Sequence, residues 1–284
     1  MVNIWVIGQS GQLASCLKDL NLGYRFIGRS ELDLANVENI RKFFASQTIK
    51  PDVILNTAAY TQVDKAETER EAAYAINALA SEELASHCKR YFYVSTDYVY
   101  GGSNDRPYSE TDPVAPVNYY GETKLAGENL ARAANINTFV IRTSWLYSPY
   151  GVNFVKRMAE LGATRPQLKV VNDQIGTPTW APDLAKLLKQ MIDRSNAQGS
   201  RALAPGIYNY SNEGRCSWYD LAVETLKASA SKTQILPIST SEYPTPARRP
   251  AYSVLDKSKI KEALSLSIKN WRDSFSEAAN ILFK

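Results

Sequence analysis

Tyr120 and Lys124 stand four residues apart in a segment with helical spacing, so their side chains share one face. Chance supplies such a pair in a chain this rich in both residues, so its meaning comes from its surroundings. Upstream, an apolar run ends in Ser95-Thr96-Asp97, and the carboxyl end of a strand is where α/β proteins bind ligands. A strand-end hydroxyl, a tyrosine and a lysine together suit the reduction of a carbonyl. Thr96 is expected to donate a hydrogen bond to the carbonyl oxygen while Tyr120 protonates it as hydride reaches the carbon. The Lys124 ammonium is expected to lower the Tyr120 pKa towards neutrality.

A hydride needs a donor, and the chain opens with a loop suited to one. Gly8-Gln-Ser-Gly11-Gln-Leu-Ala14 follows the first apolar run and begins the first helical stretch. Gly8 and Gly11 permit a sharp turn and close approach to a phosphate, and Ala14 permits close packing of helix on strand. The helix N-terminus then offers free N–H groups and partial positive charge to a pyrophosphate. The alternative is a tight turn without a ligand. About 20 residues on, Gly28-Arg29-Ser30 ends the second run. Arg29 can pair with a 2′-phosphate where an acidic residue would take a ribose hydroxyl, which favours NADPH over NADH. Asp33 either contacts the adenosine or caps a turn.

These groups need a scaffold. Short apolar runs at Ile4–Ile7, Tyr24–Ile27, Val53–Asn56, Tyr91–Ser95 and Thr138–Ile141 alternate with helical stretches at Gln12–Leu20, Val37–Ser46, Glu69–Cys88 and Tyr119–Ala134. Strands apolar on both faces and separated by helices predict an α/β fold built on a doubly wound parallel sheet of the Rossmann kind. Residues 1–147 would form this dinucleotide-binding domain, completed by parts of 174–212, with 148–284 mainly a smaller substrate-binding domain. Asn153–Leu161 and Pro182–Arg194 look helical, and Gly206–Tyr210 looks like a strand. The Pro-rich polar stretches 105–118 and 243–252 read as long loops over a binding site.

Composition narrows the function classes. The chain has 284 residues, 44% hydrophobic and 22% charged, with a net charge of +4 and no basic run, which argues against a nucleic-acid partner. Three widely spaced cysteines (Cys16, Cys88, Cys216) and one histidine, His87, suit neither a disulfide framework nor a metal centre, and none is expected. His87 reads as a surface or helix-end residue. Asn77 reads as a buried partner of backbone groups. No apolar stretch spans a membrane, and the short apolar start lacks a basic flank, so a cytoplasmic protein is expected. A homodimer is the assembly carried forward.

The longer strings of the chain resemble the extended short-chain dehydrogenase/reductases that act on nucleotide sugars. They are Asn56-Thr-Ala-Ala-Tyr-Thr-Gln-Val-Asp64, Ser95-Thr-Asp-Tyr-Val-Tyr-Gly101, Tyr120-Gly-Glu-Thr-Lys-Leu-Ala-Gly-Glu128, Arg142-Thr-Ser-Trp-Leu-Tyr147, Asn153-Phe-Val155, Asp173-Gln-Ile-Gly-Thr-Pro-Thr179 and Arg248-Arg-Pro250. The resemblance implies NADPH-dependent reduction of a 4-keto-6-deoxy sugar carried on dTDP. Another nucleotide-sugar reductase or epimerase, or a non-catalytic NADP-binding regulatory subunit, is the alternative. A 4,6-dehydratase would carry Asp-Glu after the threonine, where this chain has Asp97-Tyr98. The resemblance places Gly11, Gln12 and Leu13 against the cofactor pyrophosphate, and Ala58, Ala59 and Tyr60 along its ribose and nicotinamide. It assigns the hydroxyl role to Thr96 rather than Ser95, holds the nicotinamide ribose with Lys124, and gives Thr96, Asp97 and Trp145 contacts to the sugar nucleotide. Ala14 stands where the family has glycine, and Tyr60 where histidine is common. Arg248 and Arg249, in the Pro-rich loop, are candidates for pairing with the substrate pyrophosphate.

Overall fold

The computed structural model describes residues 2–199 and 202–283. Five strands, β1 (Ile4–Ile7), β2 (Arg25–Ile27), β3 (Val53–Asn56), β4 (Arg90–Thr96) and β5 (Thr138–Thr143), join the strand Gly206–Asn209 in one sheet. All its pairings are parallel, in the order Gly206–Asn209, β5, β4, β3, β1, β2. Alternate residues along each strand face opposite layers. Val6, Leu55, Phe92, Phe139 and Ile141 pack on the helices α1 (Gln12–Asp19) and Ala181–Ser195. Trp5, Ile54, Tyr91, Tyr93 and Val140 pack on α2 (Val37–Ser46), Ala80–Ser86 and Tyr119–Ala134. Covering both faces is why these strands read as unbroken apolar runs.

The chain leaves β1 for β2 through α1, then crosses back through α2 to β3 on the other side of β1. This reversal opens a crevice beyond the carboxyl ends of β1 and β3, where ligands of open α/β sheets bind. No helix among the described residues is long and apolar enough to cross a membrane.

The helical stretch expected over Glu69–Cys88 is interrupted. Arg70–Tyr74 and Ala80–Ser86 are α-helical, but Ala75–Leu79 forms a π-turn. The turn frees the Asn77 carbonyl, which accepts hydrogen bonds from the Tyr93 hydroxyl (2.8 Å) and the Ser81 hydroxyl (3.0 Å). Helix Tyr119–Ala134 packs so closely here that a Cβ on Gly127 would lie 2.1 Å from the Asn77 oxygen. His87 ends Ala80–Ser86 and stacks on Phe44 at 4.3 Å.

The second half builds a smaller assembly. Gln167–Val171 and Gln234–Ile238 pair in parallel, covered by helices Phe154–Thr164 and Trp218–Ala228. Helix Trp271–Leu282 packs beside it, Phe275 clustering with Val155 and Leu221, whereas helix Ser258–Leu264 returns to the main sheet, where Ile260 clusters with Leu188 and Tyr208. Neither those two helices, nor Trp218–Ala228, nor this second sheet was anticipated from the sequence. The stretch 105–118 lies against the chain just after 252: Tyr108 N–H donates to the Val254 carbonyl and Asp256 N–H donates to the Tyr108 carbonyl, both at 2.8 Å.

Candidate active site

A cavity of about 640 Å³ runs from the turn after β1, past the ends of β3 and β4, to Trp145 beyond β5. At its first end, Gly8 has φ +108°, and a Cβ there would lie 2.6 Å from the Thr57 hydroxyl, so only glycine fits. Gly11 caps α1 in extended conformation with no side-chain hydrogen bond, and the first turn holds no acidic residue. A Cβ on Gly11 would meet nothing within 4 Å. Uncapped N–H groups beside open space are what a pyrophosphate requires, so this end fits a dinucleotide.

Gln12 and Leu13 also line the cavity. The Gln12 carboxamide oxygen, however, accepts from the Ser148 hydroxyl (3.0 Å) and the Asn153 amide (3.1 Å). That side chain docks the loop 148–153, which contributes Gly151 and the exposed Val152 to the cavity mouth. Arg29 and Asp33 form the rim at the end of β2. Arg29 is 82% exposed, with its Nε 3.6 Å from Asp33. Asp33 also accepts from Ala35 N–H at 3.1 Å, which makes it a turn cap. Ala58 and Ala59 line the wall. Tyr60 does not: its hydroxyl donates to Glu69 (2.6 Å), while Asn77 holds both its N–H (2.9 Å) and its carbonyl (3.1 Å). Asn77 thus fixes the Tyr60 backbone beside the Ala58–Ala59 wall.

Midway, β4 and helix Tyr119–Ala134 bring Thr96, Tyr120 and Lys124 to the same cavity. The Thr96 hydroxyl donates to Asp97 (3.1 Å) and accepts from Tyr98 N–H (3.2 Å). Lys124 is buried, its Nζ donating to the Val94 carbonyl (2.7 Å) and standing 3.9 Å over the Tyr93 ring. Burial pushes its pKa down to about 7, with the Glu128 charge pulling the other way. Burial pushes Tyr120 above the ordinary tyrosine range, opposed by the Thr96 hydroxyl beside it. This corrects the expectation of a near-neutral Tyr120. The Lys124 ammonium is engaged by Val94 and Tyr93, and Tyr120 stays a protonated phenol. Asp97 is buried and pushed up to about 7, and its outer oxygen has no hydrogen-bond partner among the described residues.

Trp145 lines the far end with φ +47°, a left-handed conformation that strains a bulky residue. Its ring stacks on Trp218 (3.5 Å between centroids, 9° between planes). A Cβ on Gly176 would come within 2.5 Å of the Trp145 ring, so glycine there makes room for the stack. Arg248 is exposed and its guanidinium makes no hydrogen bond or ion pair among the described residues; neither Arg248 nor Arg249 lines the cavity. Arg249 has other partners than a phosphate: its terminal nitrogens bind Asp64 bidentately (2.6 and 2.8 Å) and reach Thr245 and the Ala247 carbonyl.

Behind the site lies a charge pair that sequence reasoning missed. Glu128 accepts from Arg142 Nη2 (2.6 Å), Arg142 Nε (3.0 Å) and the Ser95 hydroxyl (2.6 Å), and Arg142 Nη1 donates to the Tyr100 hydroxyl (2.8 Å). Two signals were available: Glu128 follows Lys124 by one helical turn, and Arg142 interrupts the apolar run of β5.

The profile of the RmlD substrate-binding domain matches residues 2–283. The chain belongs to this family. The spore coat polysaccharide biosynthesis protein SpsK of Bacillus subtilis (strain 168) is 37% identical, over 98% of this chain and 96% of its own. The dTDP-4-dehydrorhamnose reductase of Escherichia coli (strain K12) is 38% identical, over 88% of this chain and 86% of its own. Among solved structures, the dTDP-4-dehydrorhamnose reductase of Bacillus anthracis str. Ames, in complex with NADP, superposes with a TM-score of 0.90. That structure is 34% identical and covers 98% of this chain and 99% of its own.

Proposed function

We propose that this protein uses NADPH to reduce the C4 keto group of dTDP-4-dehydro-L-rhamnose, giving dTDP-L-rhamnose in the last step of that sugar nucleotide's biosynthesis. The observation that carries the reading is the meeting of Thr96, Tyr120 and Lys124 in one cavity with the uncapped start of α1, in a chain of this family. The named reductases among its relatives, and the NADP held by the Bacillus anthracis enzyme, support the choice of substrate and cofactor.

Gly8, Gly11 and the first turn of α1 hold the pyrophosphate, and Arg29 takes the 2′-phosphate. Ala58 and Ala59 leave room for the ribose and nicotinamide, and Lys124 holds the nicotinamide ribose. NADPH supplies the hydride to C4. Tyr120 gives its phenolic proton to the C4 oxygen, and Thr96 donates a hydrogen bond to the same oxygen. A phenol kept protonated by burial suits this direction, because it arrives at the reaction with its proton in hand. Thr96 then steadies the phenolate until solvent reprotonates it. Asp97, Trp145 and the exposed Arg248 contact the sugar nucleotide.

The reading divides the chain into a dinucleotide-binding domain over 1–147, completed from 174–212, and a mainly substrate-binding domain over 148–284. Its three free cysteines suit a reducing cytoplasm. The test is purified protein with NADPH and dTDP-4-dehydro-L-rhamnose: nicotinamide absorbance falls, and dTDP-L-rhamnose forms. No loss of absorbance overturns the reading.

A further inference from the structure

We infer that Asn118 is a positioning residue that couples the loop 245–249 of the second half to the start of the helix carrying Tyr120. Asn118 is 4% exposed and caps helix Tyr119–Ala134, its Oδ1 accepting from Gly121 N–H at 2.8 Å. Its Nδ2 donates to the Arg248 carbonyl at 2.7 Å, 130 residues away. One amide therefore uses its acceptor on the helix and its donor on the loop.

The residue type carries the argument. Serine, threonine, aspartate and asparagine all cap helices well. Only asparagine adds a second, independent donor group on the same short side chain. A cap alone does not require it, whereas a cap that also holds a loop does.

Both joined parts are fixed to the segment after β3. The Glu67 carboxylate accepts from Tyr119 N–H (2.9 Å), and Asp64 accepts from Ala247 N–H (3.1 Å) and binds Arg249. Underneath, a Cβ on Gly121 would lie 2.3 Å from the Tyr98 carbonyl, so the first turn has no slack towards β4. Tyr120 lies between Asn118 and Gly121, inside the capped turn. A displacement of residues 245–249 is passed by Asn118 to the backbone that aims the phenol. The inference rests on the reading of Tyr120 as proton donor and of Arg248 as a substrate contact.

The test uses Asn118→Ser, whose hydroxyl keeps the capping acceptor but ends one bond short of the Nδ2 that reaches Arg248, and Asn118→Asp, which keeps the acceptor and has no donor. Asn118 does not line the cavity at α1, so the melting temperature stays within about 2 °C and NADPH affinity within twofold of the parent. Turnover with the sugar nucleotide falls about ten- to a hundredfold, the scale set by misplacing a reacting group by an ångström or less. Amide exchange followed by mass spectrometry speeds up over 245–252 in both variants. A role confined to helix capping moves neither turnover nor exchange in Asn118→Ser. Turnover and exchange both unchanged in that variant overturn the inference. Failure of the functional reading is a separate result, namely an unmodified protein that consumes no NADPH, and the exchange measurement then still decides whether the tether exists.

Discussion

Replacing Glu128 with Gln perturbs the molecule most informatively outside its cavity. The carboxylate receives the Arg142 guanidinium through both Nε and Nη2, and the Ser95 hydroxyl besides, with Glu128 1% and Arg142 2% exposed. Glutamine keeps one acceptor oxygen and points an NH₂ at donors. Arg142 then keeps Tyr100 and at most one acceptor oxygen of residue 128, and carries a buried charge without a counterion. Breaking one side of a buried pair costs about 3–5 kcal/mol. In a chain of this size each kcal/mol moves the midpoint by about 2–4 °C, so the melting temperature should fall by roughly 6–20 °C. Ser95→Ala removes a single bond and should cost only about 1 kcal/mol. Replacing both partners with apolar residues, as in Glu128→Leu with Arg142→Met, should recover much of the loss. Calorimetry or thermal circular dichroism reads all three. A Glu128→Gln midpoint within 2 °C of the parent refutes the reasoning, because the charge would then be compensated by something other than Glu128.

Three further outcomes follow from the site. Gln12→Ala removes the acceptor that docks loop 148–153 but no backbone N–H, so NADPH should bind about fivefold more weakly, the worth of about 1 kcal/mol of net hydrogen bonding; fluorescence titration measures it, and unchanged affinity contradicts the docking role. Arg29→Ala should raise the KM for NADPH about tenfold or more, as loss of charge-assisted hydrogen bonds would, and leave that for NADH unchanged; an unaltered preference removes the 2′-phosphate contact. Lys124 falls from its ordinary 10.5 to about 7 on burial, so between those values the unfolded chain binds a proton that the fold does not, and stability rises with pH there. The cost of the buried ammonium is complete below pH 7. Lys124→Met therefore gains most over the parent near pH 6, and its advantage shrinks towards pH 10; a difference independent of pH, read from urea midpoints, contradicts the assigned burial.

What the sequence disclosed was whatever depends on local pattern. The apolar runs of β1, β3 and β5 announce strands covered on both faces, and Gly8 and Gly11 mark a turn that admits no side chain or faces open space. Tyr120 and Lys124 are fixed relative to each other by one helical turn. What stayed hidden depends on partners far along the chain. The π-turn at Ala75–Leu79 leaves helical periodicity almost intact and is held by Tyr93 and Ser81 through the Asn77 carbonyl. The left-handed Trp145 is supported by Trp218 and by the space at Gly176. Arg249 looked free for a phosphate because Asp64, its partner, lies 185 residues away. The Tyr120 pKa was misjudged because helical spacing shows that Lys124 is near without showing that its ammonium is turned to the Val94 carbonyl and the Tyr93 ring. The second half hid its sheet because that sheet joins segments more than 60 residues apart.

Tyr120, half-buried and neutral, donates on this reading the proton that completes reduction at C4. That step is tested most directly by comparing NADPH oxidation with dTDP-4-dehydro-L-rhamnose in the parent and in Tyr120→Phe, alongside NADPH binding to each. Loss of a general acid lowers turnover by about 10²–10⁴-fold, and the account predicts a fall in that range with NADPH affinity within twofold. Turnover in Tyr120→Phe within tenfold of the parent, with dTDP-L-rhamnose still formed, contradicts it.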